Sequence, residues 1–164
     1  MQQLYSPWRD EYVKIDKKLI NDCVFCDIAN STNDDTKLAV LFRNKNFFIV
    51  MNRYPYIPGH FMIVPNFHTA NLEDLDMAVW LDMTKTAHKL VPLLKDILKA
   101  QGVNIGMNLG KAAGAGIEKH IHLHLLPRYK ADTNFITTIA NTRVYSVDFD
   151  KIYKKLLQNI KNYI

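Results

Sequence analysis

Apolar positions follow two rhythms along this chain. Between residues 38 and 65 they come in short dense runs of Val, Ile and Phe. These are Leu38–Arg43, Phe47–Asn52 and Phe61–Pro65, each bounded by Asn, Pro or Gly. Runs of that length and composition predict strands. The middle one, Phe47-Phe48-Ile49-Val50-Met51, is apolar at every position, so both its faces are expected to be covered. From Asn71 to Ala100 the rhythm changes. Leu72, Leu75, Val79, Met83, Ala87, Leu90, Leu94 and Ile97 recur at three- and four-residue steps. That spacing predicts one long helix, with Asn71 as N-cap and Glu73 and Asp74 in its first turn. Pro92 lies inside the pattern and should kink or divide it.

A second helix is expected from about Asp150 to Tyr163, with Ile152, Leu156 and Ile160 on one face. Val103–Asn108 and Lys119–Leu126 are further strand candidates, Cys23–Ala29 is a helical turn or two, and Asn30–Lys37 (NSTNDDTK) is a loop by composition. Strands in runs, broken by one long helix and closed by a C-terminal one, predict an α+β fold with a mainly antiparallel sheet.

Composition narrows the class. The length of 164 residues fits a single domain. With 48% hydrophobic and 23% charged residues, a disordered chain is excluded. No apolar run approaches the ~18 residues of a membrane span. The beginning MQQLYSPWRDEYVK has no apolar signal core, and two cysteines cannot form a secreted disulfide scaffold. A soluble, cytoplasmic protein is expected, without membrane partners. The net charge of +5 favours anionic ligands such as phosphates. Without a basic–aromatic stripe it does not point to nucleic acid.

Chemistry concentrates in three places. In His120-Ile121-His122-Leu123-His124, three of the six histidines alternate. On a strand they would line one face about 7 Å apart, with Ile121, Leu123 and Leu125 in the core. Three titratable rings in a row suit proton transfer, nucleophilic attack or metal ligation better than a merely solvated face. Just upstream, five of six glycines fall between Gly102 and Gly116. The segment Gly110-Lys111-Ala112-Ala113-Gly114-Ala115-Gly116 would let backbone N–H groups approach a phosphate. It matches neither the P-loop nor the dinucleotide fingerprint. Lastly, Cys23-Val24-Phe25-Cys26 reads as a metal half-site or a redox pair, or as two buried thiols. A four-coordinate zinc would need two more ligands, from His60, His68, His88 or the triad. His60 and His68 lie eight residues apart, about 25 Å if extended, and are not expected to share one metal. His88 is expected on a helix surface.

These residues resemble the histidine-triad (HIT) superfamily of nucleotide hydrolases and transferases. The likeness rests on the triad with Leu125-Leu126-Pro127-Arg128, on Pro58-Gly59-His60-Phe61-Met62-Ile63-Val64-Pro65, and on Cys23-Val24-Phe25-Cys26-Asp27-Ile28. Trp8-Arg9-x-Glu11-Tyr12, Asn52-Arg53-Tyr54-Pro55-Tyr56, Asn104–Gly110 and Asp132-Thr133-Asn134-Phe135 are similar to the bacterial diadenosine-tetraphosphate phosphorylase subgroup. The resemblance implies a single HIT domain over 1–164, with an arm at 1–21, a core at 22–130 and a C-terminal extension at 131–164. It implies that His122 is the nucleophile, forming a nucleotidyl-histidine, and that His124 and His60 contact phosphate or tune the site. It further implies that Asn52 binds ribose, that Phe25 and Ile28 enclose a purine base, and that Asn108 and the backbone of Gly114, Ala115, Gly116 and Ile117 hold phosphate. Cys23, Cys26, His68 and His120 would bind one structural zinc. A homodimer or higher homo-oligomer is implied as well.

Gly116 and Ile117 stand where many members carry a polar residue, so phosphate contact should come from backbone or Lys111. Leu123 replaces an aromatic found in some phosphorylase-like members. No acidic cluster for a catalytic metal is evident, Asp132 and Asp148 being isolated in sequence. The expected activity is phosphorolysis of a dinucleoside polyphosphate, with inorganic phosphate as acceptor and Lys111 and Arg128 as candidate cations beside His122. The rival readings are a HIT hydrolase of dinucleoside polyphosphates or phosphoramidates releasing AMP, a zinc metallohydrolase with all three triad rings on one ion, and a non-catalytic nucleotide sensor.

Overall fold

The computed structural model describes residues 23–32, 34–130, 139 and 147–164. The arm at 1–21 with Trp8–Tyr12, and the Asp132–Phe135 motif, lie outside them. Five strands form one antiparallel sheet: β1 (Val40–Arg43), β2 (Phe47–Met51), β3 (Phe61–Pro65), β4 (Gly102–Gly106) and β5 (Leu123–Arg128). Their order is β1-β2-β3-β5-β4. Helix α1 (Val24–Asn30) and a short α2 (Asp35–Leu38) precede the sheet. Helix α3 (Met77–Leu98) connects β3 to β4, and α4 (Phe149–Asn159) follows β5, ending in a 3₁₀ turn at Ile160–Asn162. This is the α+β architecture that the sequence predicts.

Strand alternation divides the interior in two. Phe47, Ile49, Met51, Phe61, Ile63, Leu123 and Leu125 point to one face, where α3 and α4 cover them with Met83, Leu90, Leu94, Ile152, Leu156 and others. Phe48, Val50, Met62 and Val64 point to the other, under α1 and its Phe25. Both faces of β2 are buried, as its unbroken apolar run predicts.

Several local expectations are corrected. The long helix begins at Met77, not Asn71. Asp76 caps it by accepting from Ala78 N–H at 2.7 Å, while Leu72–Asp74 is a separate 3₁₀ turn in which Asn71 bonds Asp74. Pro92 does not divide α3, which runs unbroken from Met77 to Leu98. The residue is exposed, so the hydrogen bond it cannot make is left on the solvent side, and the buried Leu90, Leu93 and Leu94 hold the opposite face. Within the expected loop at Asn30–Lys37, Asp34 accepts from Thr36 N–H and nucleates α2.

The triad strand also starts later than expected, at Leu123. β3 ends at Pro65, whose carbonyl accepts from a histidine ring instead of a ladder amide. The chain before Leu123 is held by Ile121 N–H on the Thr69 carbonyl. Gly59 sets the entry to β3. Its φ is +89°, and a Cβ there would lie 2.5 Å from Leu98 Cδ1 and 3.2 Å from Pro127 Cγ. Only glycine fits that turn without displacement, and the turn delivers His60 to the start of the strand.

Candidate active site and metal centre

Four histidines and α1 meet on the α1 side of the sheet. His120, His122 and His124 are all buried, and their alternation keeps Ile121, Leu123 and Leu125 in the helical core even though only His124 lies within β5. The rings converge more closely than strand rise alone gives. The centroids of His122 and His124 are 4.7 Å apart, and those of His124 and His60 5.0 Å.

Backbone groups fix which nitrogen of each ring carries the proton. His122 Nδ1–H donates to the His120 carbonyl at 2.8 Å, leaving the lone pair on Nε2. His120 Nε2–H donates to the Pro65 carbonyl at 2.9 Å, leaving Nδ1 as a ligand atom. At His60 the proton is placed by amide groups. Tyr54 N–H donates to Asn52 Oδ1 at 2.9 Å, which turns the Asn52 Nδ2 group toward His60 Nδ1 at 3.2 Å. Tyr56 N–H donates to the same nitrogen at 3.2 Å. His60 therefore carries its proton on Nε2 and donates it to His124 Nδ1 at 2.8 Å.

These rings are held neutral. Burial, then the neighbouring His124 and His122, lowers the His60 pKa to about 3. Burial and His122 lower that of His124 to about 4. Burial also lowers His122, against the opposing effect of its bond to the His120 carbonyl. A neutral imidazole with a free Nε2 lone pair is a competent nucleophile.

The metal-ligand set is gathered in one place. One ligand atom each from Cys23, Cys26, His68 and His120 falls within 4.8 Å of the others. Cys26 Sγ stands 3.0 Å from His68 Nδ1, and His120 Nδ1 lies 3.4 Å from Cys23 Sγ and 3.7 Å from Cys26 Sγ. A tetrahedral zinc with ordinary Zn–S and Zn–N bonds would set such atoms about 3.6 Å apart, so two thiols and two imidazoles in this arrangement suit it. Burial, with Cys23 and Asp27 alongside, pushes the Cys26 thiol up to about 11. A cation in contact would reverse that by stabilising the thiolate. His60 is remote from this group and His88 is exposed on α3, as expected. The three triad rings do not converge on one ion, since His122 and His124 turn to other partners.

The remaining candidates are placed as follows. Phe25 is 2% exposed and packs against His122 and His120 at 5.0 and 5.5 Å between centroids. Ile28 is half-buried in the same apolar cluster. Asn108 follows β4, half-buried. The loop closes on itself: Ala113 and Ala115 N–H donate to the Gly110 carbonyl, and Gly114 N–H to that of Lys111. Arg128 is not beside His122. It ends β5 six residues on, about 20 Å away along the strand, and its guanidinium donates to Asn104 Oδ1 at 2.6 Å. Sequence reasoning missed the Tyr54 and Tyr56 amides and the Pro65 carbonyl, because backbone groups carry no residue signature.

Comparison with known proteins places this geometry in a class. The chain belongs to the HIT family, whose domain model matches residues 33–131. It is 33% identical over 151 residues to an AP-4-A phosphorylase of Mycobacterium tuberculosis, covering 88% of this chain and 76% of that protein. A bis(5'-adenosyl)-triphosphatase of Saccharomyces cerevisiae is 36% identical over 92 residues, 56% of this chain and 44% of its own length. The crystal structure of a zinc-bound histidine triad family protein from Mycobacterium smegmatis superposes with a TM-score of 0.70 at 27% identity, covering 85% of this chain and 94% of that one. Fold and histidine cluster support an enzyme of this family, with the family's histidine-mediated cleavage of nucleotide phosphoanhydrides.

Proposed function

We propose that this chain is a dinucleoside polyphosphate phosphorylase working through a nucleotidyl-histidine. The observation that carries the chemistry is the tautomer of His122: its Nδ1 proton is spent on the His120 carbonyl, so Nε2 presents a lone pair. Similarity to the mycobacterial phosphorylase along most of both chains supports the acceptor assignment.

His122 Nε2 attacks the α-phosphorus, and the nucleotide is held on the ring until an acceptor takes it. His124 faces the transferring group, while His60, fully buried and bonded at both nitrogens, tunes His124 and does not touch phosphate. Asn52 keeps one amide hydrogen and one oxygen lone pair for ribose hydroxyls. The base packs by Ile28 and the edge of Phe25. The loop has committed the Gly114 and Ala115 amides to its own closure. Phosphate then falls to the Gly116 and Ile117 amides, with Asn108 and the exposed Lys111 nearby in sequence.

Zinc on Cys23, Cys26, His68 and His120 would tie α1 to the triad segment and serve a structural role. A homo-oligomer belongs to the same proposal. β4 ends the sheet among the described residues, with Ile105 46% and nearby Leu109 44% exposed.

The test is product analysis with diadenosine tetraphosphate, with and without inorganic phosphate. Phosphate should accelerate substrate loss and shift the product from AMP to ADP. AMP alone at an unchanged rate across millimolar phosphate would make the protein a hydrolase.

A further inference from the structure

The chain has two cysteines, and both stand at the same end of α1 as free thiols. Cys23 is the N-cap and Cys26 lies in the first turn, which Asp27 N–H closes on the Cys23 carbonyl at 3.2 Å. Residues three apart on a helical turn hold their Cα atoms about 5 Å apart. That is inside the roughly 4.4–6.8 Å that a disulfide spans. The two sulfurs lie within 4.8 Å of one another. The Cys23 side chain makes no capping bond, so turning it toward Cys26 breaks no cap. Exposure separates the pair. Cys23 is 6% exposed, whereas Cys26 is half-buried with its sulfur 3.0 Å from the ring of His68, which is exposed. The four-ligand group thus has a dry side, Cys23 and His120, and a wet side, Cys26 and His68. A zinc held there would rest on two thiolates and two neutral imidazoles. Oxidising the thiolates removes both anionic donors at once, and two imidazoles do not complete a tetrahedral site.

We propose that Cys23 and Cys26 form a thiol–disulfide switch: a peroxide oxidises the pair, the zinc leaves, and the nucleotide-binding wall built on α1 loosens. This rests on the zinc and purine-wall readings above. Cys26 Sγ, on the wet side, attacks one peroxide oxygen. An S–O bond forms, the O–O bond breaks, and hydroxide departs. Cys23 Sγ then attacks the Cys26 sulfur. The S–S bond forms, the S–O bond breaks, and a second hydroxide departs. The two thiolates have given two electrons to the peroxide, and two solvent protons turn the hydroxides into water. Zn²⁺ leaves with its oxidation state unchanged. No third cysteine exists in the chain, so Cys23 is the one thiol that can resolve Cys26 within it. The effect on nucleotide passes through Phe25, which stands between the two cysteines and packs on His120 and His122 at 5.5 and 5.0 Å between centroids. The disulfide uncouples this turn from His68 and His120 Nδ1, while His120 Nε2–H keeps the Pro65 carbonyl. Arg43 still holds the far end of α1 by donating to the Ile28 carbonyl at 2.9 Å. The oxidised chain therefore stays folded, with Phe25 displaced and purine binding weakened.

The test treats the zinc-loaded full chain with a small molar excess of hydrogen peroxide. A chromogenic chelator reports free zinc, and quenched samples are alkylated for intact-mass and peptide analysis. One Cys23–Cys26 disulfide should form within the chain per zinc released, at one common rate. Dithiothreitol with added zinc should restore both thiols and the metal. The oxidised chain should bind AMP about tenfold or more weakly than the reduced one, and recover on reduction. Thiols that stay reduced under conditions that fully oxidise free cysteine would overturn the proposal. So would sulfinic acid without a disulfide, a disulfide between two chains, zinc retained after the disulfide forms, or an unchanged AMP affinity. If the chain holds no zinc, the metal reading fails by itself, and disulfide formation with its effect on AMP still decides the switch. If the reduced chain binds no AMP, the nucleotide reading fails, and the coupling of disulfide to zinc release decides it.

Discussion

His60 shows how much one buried ring constrains. It is fully buried, faces His124, His122, Asn52 and Tyr56, and has its pKa lowered to about 3 from an unfolded value near 6.5. Between those values the unfolded chain binds a proton that the native protein refuses, so stability rises with pH across that window. It is complete above about pH 6.5 and is lost as the pH falls below it. His124, with a pKa near 4, adds to the same slope. Thermal melts should therefore show Tm falling from pH 7.5 to 5. His60→Asn should lower Tm at neutral pH but flatten its decline with acid; an unchanged slope would mean that His60 is not held neutral. At this scale the sequence is legible where a side chain carries the chemistry. The triad, His60 and the two cysteines announce themselves by type and spacing. The tautomers do not, because they are set by the carbonyls of His120 and Pro65 and the amides of Tyr54 and Tyr56.

Among the elements, α1 has little packing of its own and stands to gain from a metal. It is seven residues long, its N-cap Cys23 makes no side-chain capping bond, and Phe25 is its one fully buried side chain. A metal on Cys23, Cys26, His68 and His120, whose ligand atoms lie within 4.8 Å of one another, would tie it to the triad segment beside the Phe25–His122 contact. Protein purified without chelators should contain about one zinc per chain, and Cys26→Ser should lose it and melt several degrees lower. Elemental analysis showing no metal would count against the site. Long apolar patterns gave the elements their type, and capping decided their ends. Periodicity carried the long helix back to Asn71, but Asp76 starts it. Proline rules predicted a break at Pro92, but its missing bond faces water. The helix at Asp35–Leu38 was hidden because it is polar and nucleated by one aspartate.

In the whole molecule the sheet separates structure from chemistry. Helices α3 and α4 bury one face, and the histidines and α1 occupy the other. The alternation of β5 serves both sides at once, which is why fold class and candidate site could be read from the same few residues. β4, at the margin of the described sheet, leaves Ile105 exposed beside a cleft of about 490 Å³ that Trp80, Val91 and Leu109 also line. A second copy covering that edge would satisfy its backbone groups. Sedimentation should show a homo-oligomer that Ile105→Lys dissociates, and a wild-type monomer at micromolar concentration would remove that part of the account. The central claim is that His122 Nε2 takes the nucleotide. It is tested most directly by rapid acid-free quenching of the protein during turnover of diadenosine tetraphosphate, followed by intact-mass and peptide analysis. The account predicts one adenylyl group per chain on His122, and neither adduct nor turnover in His122→Ala, which still binds nucleotide within about tenfold of wild type. Near-normal kcat in His122→Ala, or an adduct on another residue, would contradict it.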